Sequence, residues 1–199
     1  PRGLLFSEYY PLYHTFFTEL GFRVVPSDPT NKRIIEMGLD VSIGEPCFPF
    51  KVAHGHYMDL IEKGVDIIFA PGIISTEQPN ERMRQAQTCP YLQAAPDVIS
   101  SSVGVTERGI RYVTPRIHFK RGRKHIERVF TQVAKDLGRS PAQARAALKA
   151  GLRVLGEFRD RVEKRGAEVL ANLPTDQVAF IVVGRPYTLW DPALNMDIG

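Results

Sequence analysis

The sequence predicts an α/β protein built around a Rossmann-like parallel sheet. Helix-like and strand-like segments alternate along the first 115 residues, and the intervals between strands are long enough for a crossover helix, as parallel strands require. The strand-like segments at residues 65–70 and 178–183 are apolar at nearly every position. Such runs are typical of parallel strands that are covered on both faces.

The first unit opens with a predicted helix at residues 10–20, whose apolar side chains form one stripe and whose end is marked by Gly21. A strand is predicted at residues 22–26 and a short helix at residues 31–37, ending at Gly38. Each predicted helix is therefore followed directly by a glycine, the residue that most readily adopts the left-handed conformation of a helix end.

The same pattern continues through the rest of this unit. A helix predicted at residues 49–63 ends at Gly64, and the strand at residues 65–70 follows it. A further strand is predicted at residues 109–114. Together these elements make up the first predicted domain, residues 1–115, which carries both cysteines of the chain.

Beyond residue 115 the sequence becomes helical. One helix is predicted from about residue 122 to a break at Gly138. The next begins at Ser140, with Pro141 at the first helical position and Gln143 at the third, a pattern that satisfies the free amide groups of a helix start. This helix is predicted to run to about residue 172, so residues 116–172 form a helical segment.

The last predicted region, residues 173–199, contains the apolar strand at residues 178–183 and is interpreted as the truncated start of a second α/β unit. The chain opens on Pro1 and stops at Gly199 without a helix or strand termination signal. We therefore interpret the chain as a fragment of a longer protein.

Composition narrows the function classes. A hydrophobic fraction of 43% and a charged fraction of 24% are ordinary for globular domains. The net charge of +4 suits anionic small molecules such as nucleotides or acyl-CoA and does not require nucleic acid. Two cysteines are too few for a disulfide scaffold, and neither a membrane span nor a signal peptide is visible. We expect a cytoplasmic protein with reduced thiols and no membrane or nucleic-acid partner.

Both cysteines sit beside a proline in a short loop-like motif. Cys47 precedes the helix predicted from Pro49, and Cys89 directly precedes Pro90. Each follows a stretch predicted as a strand or its end, so both loops are expected at the carboxyl ends of parallel strands. A helix N-terminus stabilises a thiolate, as a metal ligand or a reactive thiol requires. The alternative is two buried, inert cysteines.

The histidines offer a weaker metal site. His54 and His56 are two residues apart, and on a helix they point in nearly opposite directions, so they cannot chelate one ion together. We expect His54 to be half-buried beside Phe50, and His56 to face the loops. The other histidines, expected to be structural or solvent-exposed, are His14, His118 and His125.

Three further features carry two readings each. Glu45 either takes part in proton transfer or orients its loop. The basic run at residues 120–124 binds phosphate or, as charge runs usually do, forms a solvated surface. Arg185 follows the strand at residues 178–183, where open α/β sheets place ligands, and has either a functional or a structural role.

Several of these motifs occur in a known order. The chain resembles the domain that accompanies CoA-enzyme activases, a family related to the iron–sulfur subunits of 2-hydroxyacyl-CoA dehydratases and to double-cubane cluster proteins. The resemblance spans nearly the whole chain and is weakest across the helical segment. The matching motifs are Tyr9-Tyr10-Pro11-Leu12-Tyr13, Leu20-Gly21-Phe22-Arg23-Val24-Val25, Glu45-Pro46-Cys47-Phe48-Pro49, His54-Gly55-His56, Gly64-Val65-Asp66-Ile67-Ile68-Phe69, Cys89-Pro90-Tyr91-Leu92-Gln93 and Gly184-Arg185-Pro186-Tyr187.

The resemblance implies a cofactor and partners. Cys47 and Cys89 match two ligand positions of a 4Fe–4S or double-cubane cluster, whose further ligands are expected outside this fragment. The implied function is a cluster-binding module that receives low-potential electrons from an ATP-driven activator, for an acyl-CoA or small reducible substrate in anaerobic metabolism. No P-loop is present, so the ATPase that drives activation in this family is expected to be absent from this fragment. The fragment itself is expected to be inactive. The alternative is a non-catalytic interaction or regulatory domain attached to an activase.

Overall fold

The computed structural model describes residues 1–78, 82, 85–174, 176 and 178–198. It is a mixed α/β structure, which confirms the predicted fold class. The helices are α1 (Phe6–Glu19), α2 (Lys32–Val41), α3 (Phe48–Glu62), α4 (Pro90–Val103), α5 (Arg123–Asp136), α6 (Pro141–Ala171), α7 (Pro186–Leu189) and α8 (Pro192–Asn195), and a short 3₁₀ turn covers Phe119–Arg121. The strands are β1 (Ile67–Phe69), β2 (Gly72–Ser75), β3 (Arg111–Val113) and β4 (Arg116–His118).

The strands form two parallel pairs, β1 with β3 and β2 with β4. Hydrogen bonds from Ala70 N–H to the Val113 carbonyl (3.0 Å) and from Gly72 N–H to the Pro115 carbonyl (2.9 Å) connect the pairs. Proline has no N–H for a ladder bond, so Pro71 and Pro115 divide one parallel ribbon into two short ladders.

Two apolar clusters hold the helices against this ribbon. The first joins α1, α5 and α6 and includes Phe16 and Phe130, whose rings meet edge to face at 4.8 Å. The second joins α3, α4 and β1 and includes Phe50 and Ile99. Burying such side chains contributes about 1.5–3 kcal/mol each, so α3 and α4 are held against the strands by their apolar faces.

The helices α2 and α3 cross unusually closely. A Cβ atom at Gly55 would overlap the Ile34 carbonyl oxygen, and one at Gly38 would overlap the Lys51 carbonyl oxygen. The prediction that Gly38 ends its helix is therefore wrong: α2 continues to Val41, and the glycine lies at the crossing, where no side chain fits. The start of α2 is fixed by an Asn side chain that accepts the Ile34 N–H bond.

The predicted strand at residues 22–26 is not formed. These residues are extended and line a cavity of about 680 Å³ together with β1, but they form no ladder with it. Phe22 instead packs against Phe17, with 6.2 Å between ring centroids, and Arg139 lies over the Phe22 ring at 4.7 Å. The apolar sequence of the segment is thus satisfied by ring contacts rather than by backbone pairing.

The predicted buried strand at residues 178–183 is also wrong for this structure. The segment has no strand among the described residues, and its large apolar side chains are exposed. The part of α6 that precedes it is exposed as well, since the buried residues of α6 end at Leu155. The interpretation of residues 173–199 as the start of a second α/β unit stays a prediction, and residues 175, 177 and 199 lie outside the described residues.

The other predicted elements are confirmed with shifted bounds. The Ser140 hydroxyl accepts the Gln143 N–H bond and the Gln143 side chain accepts the Ser140 N–H bond, which completes the expected helix start of α6. Five elements, α4, α7, α8, β2 and β4, were not predicted, and neither was the 3₁₀ turn. No helix in the described part of the chain has the length and apolarity of a membrane span.

Candidate functional site

The two cysteines occupy equivalent positions at the starts of α3 and α4. Cys47 is the N-cap residue of α3 and Cys89 is the N-cap residue of α4. The first turns of these helices touch, because the rings of Phe50 and Tyr91 meet at 5.4 Å between centroids. Two thiols therefore lie at one edge of the molecule, which we call the cysteine edge, at the positive ends of two adjacent helix dipoles.

Cys89 is half-buried and capped by its own helix. Its sulfur accepts the Leu92 N–H bond at 3.4 Å, and Pro90 occupies the first helical position. The preceding residue, Thr88, is tied to the end of β2 by a bond from its N–H to the Ile74 carbonyl at 3.1 Å. Among the described residues no strand directly precedes Cys89; Gln87 forms only an isolated antiparallel bridge with Ser75, so the expected strand end is reduced to that bridge.

Cys47 is exposed, and its side chain makes no cap bond. It follows the end of α2 and a loop rather than a strand, so that part of the prediction is wrong. Beside it, the Lys51 ammonium pairs with Glu45 at 2.5 Å. This pair joins the loop before the cysteine to the first turns of α3, which is the loop-orienting geometry considered for Glu45.

Tyr187, from α7, lies near both cysteines. Its ring packs with Cys89 against the first apolar cluster. Burial is the largest cause that raises the pKa of Tyr187; Arg185 opposes the shift, and the nearby thiols of Cys89 and Cys47 add to it. The motif predicted around Arg185 is thus at the cysteine edge, but through the tyrosine two positions further on. In the sequence, the tyrosine of this motif is the residue that could have indicated a contact near the cysteines.

His56 is buried at the centre of a chain of hydrogen bonds. Ser27 Oγ accepts the Arg2 N–H bond (2.8 Å) and lies 3.0 Å from His56 Nδ1, while Thr30 Oγ1 lies 3.1 Å from His56 Nε2. Thr30 in turn donates to the Asp191 carboxylate. Because Thr30 uses its proton on Asp191, its oxygen accepts from His56, which assigns the imidazole proton to Nε2.

These hydrogen bonds show that the expectation for His56 is wrong. The side chain is 1% exposed rather than facing the loops. Burial is the main cause that lowers its pKa to about 3, and the N-terminal amine, Arg2 and Lys63 act in the same direction. His56 is therefore a neutral structural link between α3 and the α7–α8 segment.

His54 is more deeply buried than predicted, with 0% exposure. It packs against Phe50 as expected, with 5.3 Å between ring centroids, and its Nδ1 lies 2.9 Å from the Phe50 carbonyl. Its Nε2 atom has no hydrogen-bond partner within the described part of the chain. Burial lowers the pKa of His54, so the neutral ring is a packing residue of α3.

The remaining candidates are three histidines, the basic run at residues 120–124 and Arg185. His125 Nε2 accepts the His118 N–H bond at 3.4 Å, so these two half-buried histidines are linked to each other. Residues 120–124 are exposed throughout, as expected for a solvated surface. Arg185 is the N-cap of α7, with no side-chain cap bond. His14 is exposed, as predicted.

A large cavity lies apart from the two cysteines, and a smaller one adjoins them. The 680 Å³ cavity lies between α1, residues 22–26 and β1, and neither cysteine lines it. A smaller cavity of about 100 Å³ adjoins the cysteine edge and is lined by Pro49, His56 and Tyr187. Within the described ranges, no group of three or more His, Cys, Asp or Glu side chains is arranged to hold a metal ion.

The comparison with protein families shows the family to which the chain belongs. The model of the CoA enzyme activase uncharacterised domain (DUF2229) matches residues 1–199. The chain belongs to this family. No curated protein and no solved structure matches the chain. Membership confirms the resemblance to the activase-associated domain and indicates an activator or enzyme as partner; the relation to dehydratase subunits and the cluster stay predictions.

Proposed function

We propose that this domain is the iron–sulfur cluster-binding module of a 2-hydroxyacyl-CoA dehydratase- or activase-like protein, with Cys47 and Cys89 as two of the cluster ligands. The observation that carries the proposal is the pairing of two cysteine N-caps on helices whose first turns touch. Iron–sulfur clusters bind cysteine thiolates, and a helix N-terminus stabilises negative charge.

The donor set fits a part of such a cluster. Cys47 and Cys89 supply two sulfur ligands, whereas a cubane takes four cysteines in its common form. Since no third ligand joins them among the described residues, the remaining ligands have to come from elsewhere in the assembly. The exposure of Cys47 leaves its sulfur open to such a contribution.

The protein's own residues would hold and shield the group. The dipoles of the adjacent helix N-termini favour a bound anionic group, the Lys51–Glu45 pair fixes the Cys47 loop, and Tyr187 packs with Cys89 against the first apolar cluster. When bound, a 4Fe–4S or double-cubane cluster supplies one-electron transfer. The proposed electron donor is an ATP-dependent activator in the cytoplasm, and the proposed acceptor is an acyl-CoA or another small reducible molecule.

A second function, a non-catalytic interaction or regulatory domain attached to an activase, is favoured by a different observation. The chain offers two thiols rather than a full ligand set, and it exposes the apolar segment at residues 178–183. Large exposed apolar surfaces are typical of protein interfaces. In this case both cysteines are structural or vestigial.

Iron analysis distinguishes the two functions. The longest chain that contains this domain is purified without oxygen, and its iron, sulfide and visible absorption are measured. Cys47→Ser and Cys89→Ser should each lose most of the iron while the fold survives, because an alcohol is a far poorer iron ligand than a thiolate. His54→Ala should keep its iron, since His54 is a packing residue. Full iron in both serine variants would leave the interaction domain as the better proposal.

A further inference from the structure

The outer edge of β1 has no strand partner within the described ranges. On its inner edge β1 pairs with β3, where the Asp66 carbonyl accepts the Arg111 N–H bond at 3.0 Å. The backbone groups of successive residues in a strand point to alternate sides, so those of Ile67 and Phe69 point away from β3. These N–H and C=O groups have no hydrogen-bond partner in the part of the chain that the structure describes. Such an edge is a template for a further strand.

The segment opposite this edge is unpaired as well. Residues 22–26 are extended, and the backbone groups of residues 23–25 form no hydrogen bond among the described residues. The 680 Å³ cavity lies between this segment and β1. An extended chain placed in the cavity would therefore meet free backbone donors and acceptors on both of its sides.

The walls of the cavity are apolar. They include the half-buried side chains of Tyr13, Phe22, Val24 and Phe69, so apolar surface is left uncovered inside the molecule. The cavity volume falls within the range of about 300–1,000 Å³ that is usual for ligand sites. The cavity thus combines apolar walls with backbone groups that lack partners, which is what an extended apolar peptide requires.

The charges around the cavity favour an uncharged occupant. Arg23 and Asp66 line it with exposed side chains of opposite sign, and neither forms an ion pair with another described residue. Lys63 also lines the cavity, but its ammonium already pairs with Asp28 at 2.6 Å and with Asp59 at 2.9 Å. The unpaired charges therefore balance, and they select neither an anion nor a cation.

We propose that this cavity binds an extended, uncharged apolar peptide segment of a partner protein, which adds to the free edge of β1 as a strand. In this mode of recognition, main-chain hydrogen bonds to Ile67 and Phe69 supply affinity, and side-chain pockets supply selectivity. An apolar molecule without N–H and C=O groups would leave the edge unpaired, which is unfavourable once water is excluded. Neither cysteine lines the cavity, so the site is independent of the proposed cluster.

The first test compares two peptide probes, N-acetyl-valyl-phenylalanyl-valinamide and the same peptide with every residue N-methylated. Both carry the same side chains, but the methylated peptide cannot form a ladder. Each is titrated into the protein, and the backbone amide signals are followed by nuclear magnetic resonance. The first peptide should shift the amides of Ile67 and Phe69 most, and the methylated peptide should bind about tenfold more weakly or less. Equal affinities would mean that the cavity takes any apolar molecule, and together with an absence of binding they are the results that would overturn the proposal.

The second test fills the cavity. Val24→Trp places a large side chain in its wall and should abolish binding of the unmethylated peptide. Val162→Trp puts the same side chain on the exposed second half of α6 and should bind the peptide as the wild type does. Circular dichroism establishes that both variants fold, and the two peptides decide the question alone if Val24→Trp does not. Wild-type affinity in folded Val24→Trp, or amide shifts confined to the exposed run at residues 178–183, would overturn the proposal.

Discussion

Two apolar runs of this chain have similar sequences and opposite fates. Residues 65–70 and 178–183 both end at a proline-containing exit, yet Ile68 is 1% exposed and Ile181 is 86% exposed. The first run pairs with β3 and is covered by α3 and α4. The second has neither a paired strand nor a covering helix in the described part of the chain. An apolar run thus states a need for burial, and a partner backbone decides whether it becomes a strand.

The same contrast divides α6. Its first half is buried against α1, where a Cβ atom at Gly151 would lie 2.8 Å from Leu12. Apart from Phe158, which packs against the first apolar cluster, its second half, residues 156–171, is exposed, and Cβ atoms at Gly156 and Gly166 would meet nothing within 4 Å. Packing therefore supports one half of the helix, and intrinsic helix propensity supports the other.

The largest expected effect on the free energy of unfolding comes from placing the same substitution in a packed region and in an exposed one. Gly55→Ala should destabilise the protein by about 3 kcal/mol or more, because the new methyl group overlaps the backbone of α2 and forces the two helices apart. Gly166→Ala adds the same methyl group to the exposed half of α6 and should stabilise that helix by up to about 1 kcal/mol. Urea unfolding followed by circular dichroism measures both.

The opposite signs are what sharpen the comparison. If Gly166→Ala destabilised the protein as Gly55→Ala is expected to, the second half of α6 would be packed in solution. The contrast between the two halves would then be wrong.

A second pair of substitutions compares the two apolar runs directly through the free energy of unfolding. Ile68→Ala should cost about 2–5 kcal/mol, since it leaves a cavity between β1, α3 and α4. Ile181→Ala should change the free energy of unfolding by less than about 0.5 kcal/mol, as for exposed positions away from special contacts. Chemical denaturation of both variants under the same conditions tests the pair, and a loss above 1 kcal/mol in Ile181→Ala would show that its run is covered.

Local signals in the sequence account for the helices and for the cysteine edge. Gly64 at a helix end and Ser140 with Gln143 at a helix start act within one turn, so they can be read without tertiary information. The helix that follows Cys47 could also be predicted from a local signal, the proline in its first turn. The matching arrangement at Cys89 and Pro90 was missed, although a proline at the first helical position is the same kind of signal.

Contacts between distant residues could not be predicted in this way. Gly38 looks like a helix end until the close approach of α3 is known. His56 looks like a loop-facing residue, because its partners Ser27 and Thr30 lie more than 25 residues away in the chain. Tyr187 is almost 100 residues from Cys89 in sequence, and only the fold brings them together.

The smallest expected effect uses pH to separate the two parts. Burial holds the pKa of His56 at about 3 in the folded protein, against an ordinary value of 6.5. Between these values the unfolded chain binds a proton that the folded chain excludes. The contribution of His56 to the free energy of unfolding is therefore fully present above about pH 6.5, and it is lost as the pH falls toward 3.

At pH 5.5 this linkage should cost the packed part about 1 kcal/mol from His56, and the buried His54, whose pKa is also lowered, should add to the loss. Residues 156–171 contain no histidine, so their local opening should not respond. Hydrogen exchange at pH 7.5 and 5.5, corrected for the intrinsic rates, measures the opening free energy of α3 and of the second half of α6 in one experiment. His56→Gln should flatten the response of α3, and the exposed His14→Gln is the matched control. A parallel loss in both regions would mean that they unfold as one cooperative unit, and the comparison would then fail.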